Sequence, residues 1–187
     1  FVGDEVAAVA AMDPETAEEA LERIEVDYEE LPAVFDPEEA LKAGAPRLHE
    51  GESNVALKVV RDFGDVEAGF SQCDEIFEDR FSTHRVTHCC LETRGCIASF
   101  VKSGKLTVWS TTQTPYALRN ELSRILGWPS SRIRVLKTHM GGGFGSRLVM
   151  DMIEPIASVL SEKAGRPVGI FNTRKDEFHY SSVRYPF

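Results

Sequence analysis

Two short stretches hold residues whose types and spacing suit binding chemistry. Gln113 stands in the run WSTTQTP, and 31 residues later Phe144 stands in the loop MGGGFGSR. Gly141, Gly142 and Gly143 follow one another, and Gly145 follows Phe144. Glycine has no Cβ and tolerates positive φ, so main-chain N–H groups in such a loop can come close to a ligand. Where a strand enters the loop and a helix leaves it, those N–H groups face anionic or polarised atoms. Gln113 offers a neutral amide that can donate a hydrogen bond to an oxo group without adding charge. Two familiar glycine loops are excluded. A P-loop ends Gly-Lys-Ser/Thr, whereas this one ends Gly145-Ser146-Arg147. A dinucleotide fingerprint needs G-x-G-x-x-G, and the alternate glycines Gly141, Gly143 and Gly145 do not fit it. The loop is expected to cradle a phosphate or an oxo group in another way.

The remaining chemistry-bearing residues are less pointed. Cys73, Cys89, Cys90 and Cys96 form no C-x-x-C pair, so zinc and iron–sulfur ligation by this chain are not expected. Buried free thiols in a reducing cytoplasm are. The net charge of −9 is concentrated: residues 1–50 balance at −12 and residues 51–187 at +3. That acidic segment argues against a nucleic-acid partner, which needs clustered Lys and Arg. No apolar run approaches the roughly 20 residues of a membrane span, and no signal peptide is evident. With 42% hydrophobic and 27% charged residues, the composition is that of a globular protein. Phe1 opens inside an apolar extended segment and Phe187 follows an Arg-Tyr-Pro turn, so the chain is expected to be a piece of a longer polypeptide.

The elements that must position Gln113 and the loop can be placed by periodicity and punctuation. Glu5–Ala11 and Val26–Leu31 read as strands around a helix opened by Pro14, with Ala17, Ala20, Leu21 and Ile24 on one face. A short acidic helix spans Pro37 to Lys42, and residues 44–62 are loop-like. After the short helix GDVEAGFSQ, Asp74–Thr87 reads as a long strand. Gly95–Val101 and Lys105–Thr111 suggest a hairpin about Lys102-Ser103-Gly104. Thr114 is placed to cap a helix with Pro115 at its first position and Gly127 as its stop. Arg132–Thr138 is a strand feeding the glycine loop, followed by a helix from about Leu148 to Ala164. Val168–Asn172 is a last strand, and Thr173 can cap a final helix. The class is mixed α/β, with the composition shift marking a boundary near residues 44–62.

The stretches VGDEVAAVAA, VDYEELPAVFDPEEAL, THCCLETRGCIASF, WSTTQTPYALRNELSRILGWPSSRIRV, MGGGFGSR and AGRPVGIFNTRKDEF occur in this order along nearly the whole chain. Together they resemble the molybdopterin-binding large subunit of the xanthine dehydrogenase/aldehyde oxidase family of molybdenum hydroxylases. The pairing of Gln113 with GGGFG at this separation carries more weight than either part. The resemblance implies the C-terminal part of an α/β hammerhead domain at 1–45, a linker at 46–60, and the first part of the molybdopterin-binding domain at 61–187. It implies that Gln113 hydrogen-bonds the apical oxo ligand of molybdenum and that Gly142, Gly143, Phe144 and Gly145 line the metal centre and pterin. Arg147, in place of a commoner lysine, could hold a cofactor phosphate or carbonyl, or form an exposed ion pair. Molybdenum would hang from the cofactor's dithiolene sulfurs, with no direct protein ligand.

The implied activity is oxidation of an aldehyde or aromatic N-heterocycle with water as oxygen source. The cofactor is molybdenum–molybdopterin, in a cytosine dinucleotide form by analogy. Iron–sulfur and FAD subunits or domains would take the electrons, in a cytoplasmic complex with the rest of the large subunit and a small-molecule substrate. The family's glutamate base lies in a C-terminal region beyond these residues, so no catalytic residue is expected here and the piece alone should be inactive. Glu92, Glu154 and Glu177 are not assigned that task, and Glu92 is expected to pair with an Arg or a backbone N–H. Leu148 stands where purine-oxidising members carry a glutamate, against purine recognition of that kind. An aromatic thioester reductase of the same family and a non-catalytic assembly module are the alternatives.

Overall fold

The computed structural model describes residues 3–51 and 53–187; Phe1, at the head of the expected hammerhead remnant, lies outside them. Their contacts fall into two units. One joins residues up to Ile24 with Phe81–Phe187, and the other is Glu25–Arg80.

The first unit carries the sheet. Strands β1 (Gly95–Val101) and β2 (Lys105–Ser110) form the hairpin, turning through Gly104 at φ +77°. β3 (Ile133–Lys137) lies parallel to β2, and β4 (Val168–Phe171) lies antiparallel to β1, giving the order β3-β2-β1-β4. A parallel neighbour requires a crossover, and helix α4 (Pro115–Leu126) supplies it between β2 and β3. Pro115 opens α4, and Gly127 closes it in the left-handed region at φ +67°. Helix α5 (Ile153–Ala164) joins β3 to β4 by way of the glycine loop and ends on Gly165.

Alternation along the strands sends one face inward. Cys96 and Ala98 of β1, Leu106 and Val108 of β2, and Ile133 of β3 pack with Leu118 and Leu122 of α4 and Ile153 and Ala157 of α5. Burying a Leu side chain contributes roughly 1.5–3 kcal/mol, so these contacts hold α4 and α5 on the sheet. Helix α1 (Pro14–Glu22) starts on Asp13, which accepts from the Thr16 N–H, and α6 (Arg174–His179) starts on a capping box between Thr173 and Asp176.

Helices α2 (Pro37–Ala40) and α3 (Val66–Ser71) belong to the second unit, in which no described residue is fully buried. Glu38 and Arg80 are hydrogen-bonded there, and Asn54 donates to the Ala40 and Pro46 carbonyls.

Five expectations are corrected. Glu5–Ala11 and Val26–Leu31 form no ladder among the described residues, and Asp74–Thr87 contributes only a bridge from Val86 to Arg184. A period-2 pattern sets an extended backbone, but a strand also needs a neighbour. The last long helix begins at Ile153 and not near Leu148, because residues 142–150 are turned around other groups. Only Cys90 and Cys96 are buried thiols; Cys73 and Cys89 are exposed. No helix among the described residues is long and apolar enough to cross a membrane.

Candidate functional site

β2 ends at Ser110, and three further residues bring the chain to Gln113 at the mouth of α4. β3 ends at Lys137 and leads into the glycine loop. Because β2 and β3 are parallel neighbours, their carboxyl ends lie side by side, where open sheets place ligand contacts. The Gln113 N–H donates to the Arg147 carbonyl at 2.9 Å, and the Thr114 hydroxyl donates to the Leu148 carbonyl at 2.7 Å. Thr114 therefore occupies the N-cap of α4 without its hydroxyl capping the helix.

The loop closes on the Gln113 side chain. Gln113 Oε1 accepts from the Gly145 N–H at 3.1 Å and from the Arg147 N–H at 3.3 Å. Two backbone donors on one oxygen settle which end of the amide is which. Nε2 makes no hydrogen bond to another described residue. Gly143 is buried against this amide, and a Cβ there would stand 2.8 Å from Gln113 Cδ and Oε1. Gly142 (φ +114°) and Gly145 (φ +98°) need the left-handed freedom of glycine. Phe144 lies between them at φ +48°, a strained value for an aromatic residue, and the residue is 73% exposed.

Beneath the loop is a set of charges. Arg147 is 1% exposed. Its Nη1 donates to Glu92 Oε2 at 2.7 Å and its Nη2 to the Glu92 carbonyl at 2.5 Å. The expected exposed ion pair is thus a buried one on the arginine side. Glu92 Oε2 also accepts from the Gly141 N–H at 2.8 Å. Burial works against ionising Glu92, but the Arg147 hydrogen bond, the Gly141 N–H and the Arg147 charge outweigh it and hold the carboxyl below the usual range. Arg94, 3% exposed, donates to the Val149 carbonyl at 2.6 Å and to the Ser146 carbonyl at 3.4 Å, and faces Asp151 and Glu154. Glu154 is fully buried, accepting from the Ser110 hydroxyl at 2.8 Å and the Asp151 N–H at 3.0 Å. Burial pushes its carboxyl up, despite Arg94 and these donors. Glu177 accepts from the Arg94 N–H at 2.7 Å.

His88, Cys89 and Cys90 run alongside the loop. Cys90 is buried, and its thiol lies 3.8 Å from the Ser146 hydroxyl. His88 Nδ1 is buried without a partner among the described residues, and Cys89 has φ +48°. No group of three or more His, Cys, Asp or Glu among the described residues is arranged to hold a metal ion. The groove of about 730 Å³ lined by Ala10, Met12, Ala164, Arg166 and Val168 contains neither Gln113 nor the loop.

Residues 48–187 match the family described as the molybdopterin cofactor-binding domain. The chain belongs to this family. Across 186 residues the chain is 41% identical to a probable xanthine dehydrogenase polypeptide of Bacillus subtilis (strain 168), covering 100% of this chain and 25% of the relative. It is 36% identical to the nicotinate dehydrogenase large molybdopterin subunit of Eubacterium barkeri, covering 98% of this chain and 43% of that protein. The fold superposes on quinoline 2-oxidoreductase from Pseudomonas putida 86 with a TM-score of 0.85 and 31% identity, over 92% of this chain and 22% of that one. The chain thus spans less than half the length of each of these relatives.

Proposed function

We propose that Gln113 and the loop Gly142–Arg147 bind the molybdenum–molybdopterin cofactor of a hydroxylase that oxidises an aldehyde or an aromatic N-heterocycle. The single observation that carries this reading is the fixed Gln113 amide. Its oxygen is held by Gly145 and Arg147 N–H groups, and its Nε2 donor has no protein partner among the described residues. Such a preorganised neutral donor suits a polarised oxygen, where charge grows during reaction and the donor need not reorganise.

The residues present fit the group. Gly143 lacks the Cβ that would collide with Gln113, and Gly142 and Gly145 bring backbone close to one face of the site. Phe144 offers an exposed aromatic surface that would exclude water. Arg147 takes part through its main chain, while Glu92 occupies its guanidinium. When bound, the cofactor supplies a two-electron acceptor and an oxygen replenished from water. Gln113 orients it; the proton-abstracting glutamate is assigned to a region outside these residues.

The same proposal includes a hammerhead remnant at 1–45, a linker at 46–60 and the molybdopterin-binding portion at 61–187. It also includes a cytosine dinucleotide form of the pterin, iron–sulfur and FAD partners, and a cytoplasmic location. Release of CMP on acid hydrolysis tests the nucleotide.

The decisive experiment is molybdenum per polypeptide, by plasma mass spectrometry, on the intact protein from its native host. About one atom per chain, reduced several-fold by Gln113→Glu, is the expected result. That substitution keeps an oxygen for the two loop N–H groups but removes the donor. Molybdenum absent from well-folded intact protein would overturn the reading.

A further inference from the structure

The two ends of the glycine loop are joined by one residue from a distant segment. Glu92 Oε2 accepts from Gly141, the first glycine, at 2.8 Å, and from Arg147 Nη1, at the loop's end, at 2.7 Å. The Glu92 carbonyl accepts from Arg147 Nη2 at 2.5 Å, and its N–H donates to the Gly141 carbonyl at 3.3 Å. Both the backbone and the carboxylate of Glu92 are therefore used. The approach depends on Gly141, because a Cβ there would stand 2.6 Å from Glu92 Cβ.

Arg147 is also the link to Gln113. Its side chain is held by Glu92, its N–H donates to Gln113 Oε1, and its carbonyl accepts from the Gln113 N–H. A displacement of the guanidinium would move the same residue's N–H relative to the amide it orients. Charge-assisted, bidentate contacts of this kind are the stronger hydrogen bonds and fix geometry as well as energy.

We propose that Glu92 is a positioning residue for the cofactor site: by clasping Gly141 and Arg147 it holds the loop where the Gly145 and Arg147 N–H groups converge on Gln113. The inference rests on the reading of Gln113 as a cofactor ligand. Glu92 acts through Arg147 and touches neither cofactor nor substrate in this role. The arginine is suited to the task because its planar fork reaches the Glu92 carboxylate and carbonyl together, which a single ammonium does less well.

The test compares wild type with Glu92→Ala, Glu92→Gln, Arg147→Lys and Gln113→Glu in the intact protein. Backbone amide exchange is measured on protein from molybdate-starved cells, and molybdenum per chain on protein from replete cells. Glu92→Ala should speed exchange at the Gly145 and Arg147 amides about tenfold or more, with β1 and β2 amides unchanged. Glu92→Gln, which keeps an acceptor but no charge, should give an intermediate effect and covers the case in which the alanine variant does not fold. Arg147→Lys should restrain exchange better than Glu92→Ala, and molybdenum content should follow the same order. Unchanged exchange at Gly145 and Arg147, or acceleration spread evenly over the sheet, would overturn the proposal. Normal molybdenum in Gln113→Glu would instead overturn the ligand reading, while the exchange data still judge the clasp.

Discussion

Gly143 lies directly against Gln113, close enough that a Cβ on Gly143 would stand 2.8 Å from both the carboxamide carbon and its oxygen. Real Cβ atoms do not come so near, so any side chain at 143 must displace the amide. Gly143 is thus tied to the glutamine it packs on, and the site behaves as one unit of amide, loop N–H pair and bare Cα.

Gly143→Ala follows from that relationship. Overpacking of this kind typically costs about 1–3 kcal/mol, and here the yielding group is the Gln113 side chain. The expected outcome is a modest fall in melting temperature together with a tenfold or greater fall in kcat/KM, about 1.4 kcal/mol of transition-state stabilisation per decade. Steady-state kinetics with an aldehyde or N-heterocycle screen, beside a melting curve, checks it. Full activity would show that the amide position is immaterial.

Phe144 offers the opposite balance between stability and activity. Its φ of +48° stores strain, and the residue is 73% exposed. Strain at such a position is about 1–3 kcal/mol, and replacement by glycine relieves it, while added unfolded-state freedom costs about 0.5–1 kcal/mol. Phe144→Gly should leave the melting temperature unchanged or slightly raised, yet lower molybdenum per chain. Thermal denaturation and metal analysis on the same preparation check both halves. A marked loss of stability would show that the ring packs as core.

The parts of this arrangement legible in the sequence were those set by local chemistry. Alternation and Gly104 delimited the β1–β2 hairpin, Pro115 and Gly127 bracketed α4, and Thr173 marked the start of α6. Gln113 and Gly142–Gly145 were legible because their spacing accompanies a recognisable order of stretches along the chain. The position of α5's start was not legible, since residues 146–149 are held by Arg94 from more than 50 residues away. Glu92 was readable as a partner for an Arg or an N–H, but not as the partner of both Arg147 and Gly141. Likewise the Thr114 hydroxyl has the local features of a cap and is drawn instead to the Leu148 carbonyl. The extended runs at Glu5–Ala11 and Val26–Leu31 have the right pattern for strands, but pattern alone supplies no neighbour to pair with.

Arg94 and Glu154 make the last prediction, one of pH. Glu154 is fully buried and Arg94 is 3% exposed, with a single contact of 3.5 Å between them. Burial raises the Glu154 carboxyl above its ordinary value, against the pull of Arg94, the Ser110 hydroxyl and the Asp151 N–H. A raised acid binds its proton more tightly folded than unfolded, so its contribution is complete below the unfolded value and is lost as pH rises through the folded one. The stability of wild type relative to Glu154→Gln should therefore decline as pH rises above the ordinary carboxylate range. Arg94→Met should cost about 3–5 kcal/mol where Glu154 is ionised, and less in acid, because the orphaned carboxyl can then take up a proton. Denaturant midpoints of wild type and both variants, measured from mildly acidic to neutral pH, check the sign. A wild-type advantage over Glu154→Gln that grew with pH would show that Arg94 wins over burial and keeps Glu154 charged.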